Sequence, residues 1–449
     1  MQQGESAAEA EHIIVVGAGP AGLAVSLGLY RKGIRSVVLE SSPALRASGY
    51  AITTWRNAFR ALDALGVGDK IRKLHLHIQG LRVFSSSTGE IAHELDFTAQ
   101  ENGGPHETCR VRRDLLLRAM EEELPPGTIR YSSKIVAIDH DVGSHTKVLH
   151  LADGSTLRAK VLIGCDGVNS VVARWLGLAK PSYSGRLATR GLARYPDGGH
   201  GFQPEFLQFI GQGFRFGFVP CDETDVYWFY TWCPSQNGQI NVLVAGHHLH
   251  FILISQWIDS IEMSKHSCVV DLSADKGVDE SAATMKQYVL NSLRSSKVPA
   301  EAQEVVERSE VSDASAARLQ FRSPLSLVFA SISKGNVCVA GDALHPMTPD
   351  LGQGGCSALE DGVVLARCLG EAVVAESEAG TEEERIESAL CKYAGLRRWR
   401  SICLVGTAYM VGFVQQSDGA IVSFLREKVL AGALARSLLR MADYDCGTL

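Results

Sequence analysis

Three short turns rich in glycine and aspartate carry the residue types that bind nucleotide phosphates. The first is Gly17-Ala18-Gly19-Pro20-Ala21-Gly22, between an apolar run and a helix-like segment. Gly17 permits a tight turn, Gly19 lets the backbone approach a pyrophosphate, and Gly22 lets helix and strand pack closely. Free N–H groups at the helix start would face the phosphates. Glu40, after the next apolar run, is placed to accept hydrogen bonds from a ribose, which favours this interpretation over a plain strand-to-helix turn.

A second turn, Gly341-Asp342, follows the strand-like run Val337-Cys338-Val339-Ala340. Because ligands of open α/β sheets lie at the carboxyl ends of the strands, Asp342 is predicted to reach a bound ligand. The loop after it is rich in proline and glycine and ends in Gly352-Gln353-Gly354-Gly355. The helix from Gly355 would point its positive end at a negatively charged part of that ligand. A loop that only connects strand to helix is the alternative.

A third turn, Gly164-Cys165-Asp166-Gly167, follows the apolar run Val161-Leu162-Ile163. By itself this motif is an ordinary turn. Because it ends a third predicted buried strand, we expect it to line the same ligand cleft.

The elements around these turns predict an α/β fold. A helix over 23–32 and a strand over 36–39 complete a β-α-β unit that contains the first turn. Residues 181–232 contain alternating apolar and polar positions, which predicts an antiparallel sheet with one covered face. The parallel-strand pattern returns after Phe321, and residues 383–439 have mostly helical periodicity. A nucleotide-binding domain is therefore predicted to be interrupted by a β-rich domain.

The predicted boundaries follow from these pattern changes. The nucleotide-binding domain would comprise residues 11–75, 106–180 and 321–380. The β-rich substrate domain would comprise residues 76–105 and 181–320, and residues 381–449 would form a helical C-terminal region. Within the β-rich part, roughly residues 237–278 lack a clear amphipathic pattern.

Composition disfavours several classes of function. The 449 residues carry a net charge of −6, and binding to nucleic acid needs a basic face. Eleven cysteines without a Cys-x-x-Cys pair predict reduced thiols. The start of the chain lacks the features of a secretory or transit peptide, and the apolar stretch 240–257 is too polar for a membrane span. We expect a soluble cytoplasmic protein, monomer or homodimer, without nucleic acid or an integral membrane segment.

The three motifs, in this order and spacing, resemble those of the single-component (group A) flavin monooxygenases, particularly the salicylate hydroxylase and zeaxanthin epoxidase branch with its plant members. The resemblance implies a Rossmann-like FAD-binding domain of the glutathione-reductase type, with FAD as cofactor and NAD(P)H as co-substrate. It implies that NAD(P)H reduces the flavin, O2 adds at C4a, and the C4a-hydroperoxyflavin inserts one oxygen atom into a small aromatic or unsaturated substrate. Hydroxylation and epoxidation are both open, as are NADH and NADPH.

The resemblance also implies a set of cofactor-binding residues. They are Gly17, Gly19, Ala21, Gly22, Glu40, Arg112, Asp166, Asp342, Gly352, Gln353, Gly354 and Gly355. Arg112 is expected near the pyrophosphate or the ribityl chain, with its neighbour Arg113 as a competing candidate. Asp342 is expected at the ribityl hydroxyls or the pyrophosphate. Arg46 is a looser match to an arginine that contacts FAD or NAD(P)H.

Further roles are implied for the other two turns. Residues 352–355 are expected at the isoalloxazine ring, and the Asp166-Gly167 motif at both FAD and NAD(P)H. Because the flavin drives the chemistry, no catalytic residue is assigned with certainty; the candidates in the pocket loop are Pro349 and Gly352. His345 is either a base or a residue that fixes the proline-containing loop.

Aromatic side chains are frequent in the predicted antiparallel sheet, which would cover the flavin and keep out water. Most are expected in the core and one or two in the pocket. They are Phe206, Phe209, Phe214, Phe216, Phe218, Trp228 and Phe229. Farther along the chain, Arg397-Arg398-Trp399-Arg400 is expected on a helix that packs on the FAD domain with its basic residues in solvent; contact with a membrane surface is the alternative.

The stretch 237–278 departs from the family pattern. It contains His247, His248 and His250, but a metal site would need further ligands, and no metal is expected. The stretch could cover the pocket, form an interaction surface or be a splicing artefact, and the last is favoured. The alternative function is therefore an FAD-binding relative or splice form with little coupled oxygenation. A flavin reductase or dehydrogenase that does not use O2 is a third hypothesis.

Overall fold

A computed structural model describes residues 11–45, 50–99, 106–141, 145–211, 213–234, 278–310, 317–374, 380–416 and 438–449. The strands are β1 (Glu11–Val16), β2 (Val37–Leu39), β3 (Ala51–Trp55), β4 (Gly80–Ser85), β5 (Ile91–Asp96), β6 (Thr108–Arg112), β7 (Ile129–Arg130), β8 (Ile135–His140), β9 (Lys147–Leu151), β10 (Thr156–Gly164), β11 (Ser182–Arg194), β12 (Glu205–Gly211), β13 (Phe214–Pro220), β14 (Asp225–Trp232), β15 (Ala317–Phe321), β16 (Ser333–Lys334) and β17 (Val337–Val339). The helices are α1 (Pro20–Arg31), α2 (Arg56–Leu65), α3 (Gly68–Leu74), α4 (Arg113–Glu121), α5 (Val171–Trp175), α6 (Val278–Arg294), α7 (Ala300–Glu307), α8 (Pro324–Val328), α9 (Gly354–Val374) and α10 (Glu382–Gln416).

The first sheet has eight strands with a parallel core. Strands β16, β17, β10, β1, β2 and β7 follow one another across it, and β9 and β8 extend it beside β10. Val15 pairs with Ile163 of β10 and with Val38 of β2, and Ile163 pairs with Cys338 of β17. These residues are fully buried, as in sheets covered on both faces. The three turns predicted to bind a ligand therefore leave neighbouring strands at one edge of the sheet.

The second sheet has seven strands in the order β15-β11-β14-β13-β12-β4-β5. It is antiparallel except where β12 pairs with β4. Phe216, Phe218 and Trp228 pack in one buried cluster with Val289 of α6 and Val305 of α7. The predicted α/β fold with an inserted β-rich part is confirmed, while the boundaries given above for separate domains stay predictions.

Helix α1 begins earlier than predicted. It starts at Pro20 rather than Leu23, and Gly19 is its N-cap. Proline suits the first position of a helix because that position has no helical partner for an N–H group. The positive end of the helix thus lies directly at the glycine turn.

The long helix α10 corrects the expectation for the basic residues near position 400. Arg397 is not solvated: it is fully buried and pairs with Glu360 and Asp361 of α9. Trp399, by contrast, is 63% exposed. No helix among the described residues combines the length and the apolar character needed to cross a membrane.

Some predictions lie outside the described residues. These include the three histidines at 247, 248 and 250, Arg46, and nearly all of the stretch 237–278. Within the described ranges, no group of histidine, cysteine and acidic side chains could hold a metal ion.

Candidate functional site

The glycine turn after β1 contains glycines with two different tasks. Gly17 has a φ of +98°, and an added Cβ would lie 2.6 Å from the carbonyl oxygen of Cys165. A Cβ on Gly22 would lie 1.9 Å from the carbonyl oxygen of Gly17. A Cβ on Gly19 would meet no heavy atom within 4 Å. The fold itself therefore requires Gly17 and Gly22, whereas Gly19 borders open space that a ligand can enter.

Glu40 is buried and holds the glycine turn in place. The N–H of Ala18 donates to its Oε2 at 2.9 Å, and the N–H of Ser42 donates to Oε1 at 2.8 Å. Glu40 does not line the cavity described next. Its contact with a ribose stays a prediction, and its role in the protein alone is to fix the backbone around Ala18.

A cavity of about 490 Å³ receives residues from all three turns and from the second sheet. Gly19, Gly167 and Asp342 line it at the edge of the first sheet, and Phe206 and Phe229 line it from the second. The other aromatic side chains named above lie outside this lining, as expected for core residues. The cavity therefore joins a possible phosphate site to an aromatic wall.

The two aspartates of the later turns behave differently. Asp342 lines the cavity and its side chain is exposed to that cavity, while desolvation by the protein atoms around it raises the pKa of its carboxyl. Asp166 does not line the cavity; its carboxylate accepts hydrogen bonds from the Ser170 hydroxyl and from the N–H of Val171, at the start of α5. Gly167, which has a φ of +78°, takes the place of Asp166 in the lining. The structure thus gives Asp166 a helix-capping position and leaves Asp342 available to a ligand.

The arginines of β6 are distributed differently from the sequence expectation. Arg112 forms ion pairs with Asp225 at 2.6 Å and with Asp114 at 2.9 Å, and it does not line the cavity. Its neighbour Arg113 does line it, as does Arg110. The competing candidate Arg113 is therefore the one that the fold brings to the site.

Arg110 is a site residue that the sequence reasoning missed. Its guanidinium lies 3.6 Å from the centroid of the Tyr227 ring and donates to the Thr53 hydroxyl. It is buried, and burial lowers its pKa. No strand is predicted from the sequence for this segment, and the alternation of Arg110 and Arg112 does not by itself tell which side chain faces a ligand.

The glycines of the loop 349–355 contribute only backbone to the cavity lining. Pro349, Gly352, Gly354 and Gly355 line the cavity. Gln353 does not: its side chain is buried behind the loop, where Asn57 Nδ2 donates to its Oε1 at 2.9 Å. The expected approach of Gln353 to the isoalloxazine stays a prediction.

His345 is fully buried behind the loop and does not line the cavity. Its Nε2 lies 2.7 Å from Oδ2 of Asp361. Of the two roles considered, base or anchor of the proline-containing loop, this position favours the anchor.

A buried ion-pair triad, Arg186–Asp350–Arg215, also escaped the sequence reasoning. Arg186 binds the Asp350 carboxylate with two hydrogen bonds of 2.9 and 2.7 Å, and Arg215 approaches it at 3.1 Å. Burial raises the pKa of Asp350, but the two guanidinium charges outweigh burial and hold it below its ordinary value. Asp350 and Arg215 line the cavity, which places an ionised group pair beside its aromatic wall.

Sequence comparison identifies the family. A family profile described as FAD binding domain matches residues 10–238 and 297–383. The chain belongs to this FAD-binding family. Monooxygenase 2 of Arabidopsis thaliana is 46% identical over 97% of this chain and 98% of its own length. Monooxygenase 1 of the same plant is 34% identical over 97% of this chain and 99% of its own length.

These relatives place the chain in the FAD-dependent monooxygenase family and confirm the family resemblance stated above. Aurachin C monooxygenase/isomerase of Stigmatella aurantiaca is 27% identical over 93% of each chain. The two matched segments of the family profile leave out residues 239–296, which include most of the departing stretch.

Solved structures share the fold. Klebsiella pneumoniae HpxO, solved as a complex with FAD and uric acid, superposes with a TM-score of 0.72 at 22% identity. The match covers 97% of this chain and 96% of HpxO. Pseudomonas aeruginosa PqsL, solved with 2-aminobenzoylacetate, superposes with a TM-score of 0.65 at 18% identity, over 97% of this chain and 99% of PqsL. At these identities the likeness establishes the fold alone.

Proposed function

We propose that this monooxygenase uses NAD(P)H and O2 to insert one oxygen atom into a small aromatic or unsaturated molecule. The observation that carries the proposal is the continuous cavity that runs from Gly19 to the aromatic residues Phe206 and Phe229. When bound, FAD supplies the activation of O2 at its C4a position. The protein's own task is to hold the flavin, exclude water and orient the substrate.

The residues of the three turns fit FAD. The open space at Gly19 and the N-terminus of α1 suit the pyrophosphate. The accessible carboxylate of Asp342 suits the ribityl hydroxyls, and the guanidinium of Arg113 adds positive charge nearby. Gly354 and Gly355 let the start of α9 lie close to the isoalloxazine. In this arrangement the ring lies between loop 349–355 and the second sheet.

The opposite wall of the cavity suits a planar substrate. Phe206 and Phe229 pack with their rings 6.0 Å apart in an edge-on arrangement, and such faces accept a further aromatic ring. Thr189 is the candidate polar contact, because the residue lines the same cavity and its buried hydroxyl has no hydrogen-bond partner among the described residues. A buried hydroxyl without a partner costs free energy, which a polar group of the substrate would recover.

The decisive experiment reconstitutes the full chain with FAD and follows NADH and NADPH oxidation with a panel of phenolic and benzoate compounds. We expect at least one compound to stimulate oxidation and to gain one oxygen atom from ¹⁸O2, measured by mass spectrometry. Slow H2O2 release that no compound stimulates would instead support the FAD-binding relative with little coupled oxygenation. Equal turnover without O2, with another electron acceptor, would support a reductase or dehydrogenase.

A matched pair of variants tests the substrate wall. Thr189→Val keeps the shape of the side chain and removes its hydroxyl, so we expect a higher KM for the substrate and an unchanged Kd for FAD. Thr54→Val is the control, because the Thr54 hydroxyl donates to the carbonyl of Cys109 and does not line the cavity. Equal effects of the two substitutions on KM would contradict the assignment of Thr189 to the substrate.

A further inference from the structure

A fully buried carboxylate beneath the site joins three segments of the chain. Oδ2 of Asp361, in α9, accepts the N–H of Gly341 at 2.7 Å and lies 2.7 Å from Nε2 of His345. Its other oxygen, Oδ1, accepts Nε–H of Arg397 at 2.5 Å. The segments joined are the end of β17, the loop after it and the C-terminal helix α10. We call Asp361, His345 and Arg397 the Asp361 cluster.

The Asp361 cluster touches the backbone that presents Asp342 to the cavity. Gly341, whose N–H is bound, directly precedes Asp342 and has a φ of +60°. His345 closes the same turn, since its N–H donates to the carbonyl of Gly341 at 2.9 Å. The direction of the Asp342 side chain is therefore set by a turn that Asp361 holds from behind.

Arg397 helps to keep Asp361 ionised in the interior. Burial raises the pKa of Asp361, but its contacts with His345 and Arg397 lower it to about 2. Arg397 also pairs with Glu360 at 2.7 Å, so that one guanidinium serves two buried carboxylates. An unpaired buried charge is strongly unfavourable, so the removal of Arg397 must move or protonate its partners.

A second chain of contacts leads from the same helices to loop 349–355. Arg400 of α10 binds Oε1 of Glu360 at 2.7 Å, and Asn57 Nδ2 donates to that same oxygen at 2.6 Å. The Asn57 amide also donates to Gln353 inside loop 349–355. Residues of α9 and α10 thus hold both the turn that carries Asp342 and loop 349–355.

We propose that Arg397 is a positioning residue for FAD, which acts through Asp361 on the Gly341 turn and so aims Asp342 at the cofactor. Arg397 does not line the cavity and lies far along the chain from the three turns. The inference rests on the proposed place of FAD in the cavity. It assigns a cofactor-binding role to a helix outside the nucleotide-binding motifs.

The test compares two variants with a control on the same helix. Arg397→Lys cannot reach both carboxylates in the same way, and Asp361→Asn replaces an accepting oxygen by an NH2 group at equal size. The control is Arg398→Gln, because Arg398 also donates three hydrogen bonds, but to the carbonyls of Leu327, Val328 and Ala330, away from the cavity. For each protein, the thermal midpoint of the FAD-free form, the Kd for FAD and the visible spectrum of bound flavin are measured.

We expect Arg397→Lys and Asp361→Asn to raise the Kd for FAD by about tenfold or more and to shift the flavin spectrum. Arg398→Gln should lower the thermal midpoint and leave the Kd within about twofold. If both cluster variants bind FAD like the wild type, the inference is overturned even where their midpoints fall. If Arg397→Lys does not fold, Asp361→Asn decides. These readouts need neither NAD(P)H nor O2, so failed oxygenation leaves them intact, whereas a wild type that binds no FAD overturns both proposals.

Discussion

Alanine substitutions at the three glycines of the first turn should separate folding from cofactor binding. At Gly17, alanine must adopt a positive φ and its Cβ would lie 2.6 Å from a backbone oxygen. At Gly22, the Cβ would lie 1.9 Å from the carbonyl oxygen of Gly17, also backbone. At Gly19, φ is −80° and the space beside the residue is open. Only the substitutions at Gly17 and Gly22 therefore destabilise the FAD-free protein.

The expected magnitudes differ accordingly. For Gly17→Ala, the positive φ costs about 1–2 kcal/mol and the close contact about 1–3 kcal/mol, so the free energy of unfolding should fall by roughly 2–5 kcal/mol. Gly22→Ala should cost about 3 kcal/mol, because a backbone oxygen cannot rotate away as a side chain can. Gly19→Ala should cost about 1 kcal/mol or less, the usual price of alanine at an N-cap. Its Kd for FAD should rise by at least about tenfold, or about 1.4 kcal/mol, because the methyl group enters the space assigned to the pyrophosphate.

The assay combines denaturant unfolding of the FAD-free protein with titration of FAD, followed by quenching of flavin fluorescence. Gly19→Ala should be nearly as stable as the wild type and bind FAD weakly. Wild-type affinity in Gly19→Ala would refute the reasoning that the pyrophosphate passes this residue. Destabilisation of Gly19→Ala equal to that of Gly22→Ala would refute the division of tasks within the turn.

Three more substitutions test other parts of the site. Arg113→Gln should raise the Kd for FAD about tenfold. Arg112→Gln should lower the free energy of unfolding by about 1–2 kcal/mol and leave the Kd unchanged, and both variants are measured by the same two assays. Burial raises the pKa of Asp342, so its ionised form destabilises the FAD-free protein. Asp342→Asn should therefore raise the thermal midpoint at pH 7. This gain should vanish as the pH falls towards about 4, because the wild-type carboxyl is then protonated. A Cβ on Gly412 would lie 2.2 Å from the Arg186 guanidinium, so Gly412→Ala should displace the Arg186–Asp350–Arg215 triad, lower the free energy of unfolding by about 1–3 kcal/mol and reduce the product formed per NAD(P)H consumed. If Gly412→Ala forms as much product per NAD(P)H as the wild type, the triad has no role in the reaction.

The sequence by itself determined the family, the α/β fold and the place of the three turns. These features follow from local spacing: a buried β-branched run, a glycine turn and a helix start are neighbours in the chain, and parallel strands carry their following turns to one edge of a sheet. The clash of a Cβ at Gly22 with the carbonyl oxygen of Gly17 is likewise inherent in a tight strand-to-helix turn, whereas the clash at Gly17 comes from Cys165 after β10. The alternation of the β-rich part also predicted its antiparallel pairing, because side chains on a strand alternate between its two faces.

Only the tertiary structure decided which polar side chains face the cavity. Arg112 and Arg113 are neighbours in the chain, yet a carboxylate from β14, Asp225, draws the first away from the cavity. Arg397 looks like a solvated residue in a basic run, yet two acidic residues of α9 meet it in the interior. The direction of such a side chain depends on a partner 113 residues distant in the chain, as for Arg112, or on a partner in another helix, as for Arg397. Local periodicity contains no information about those partners, since packing alone brings them together.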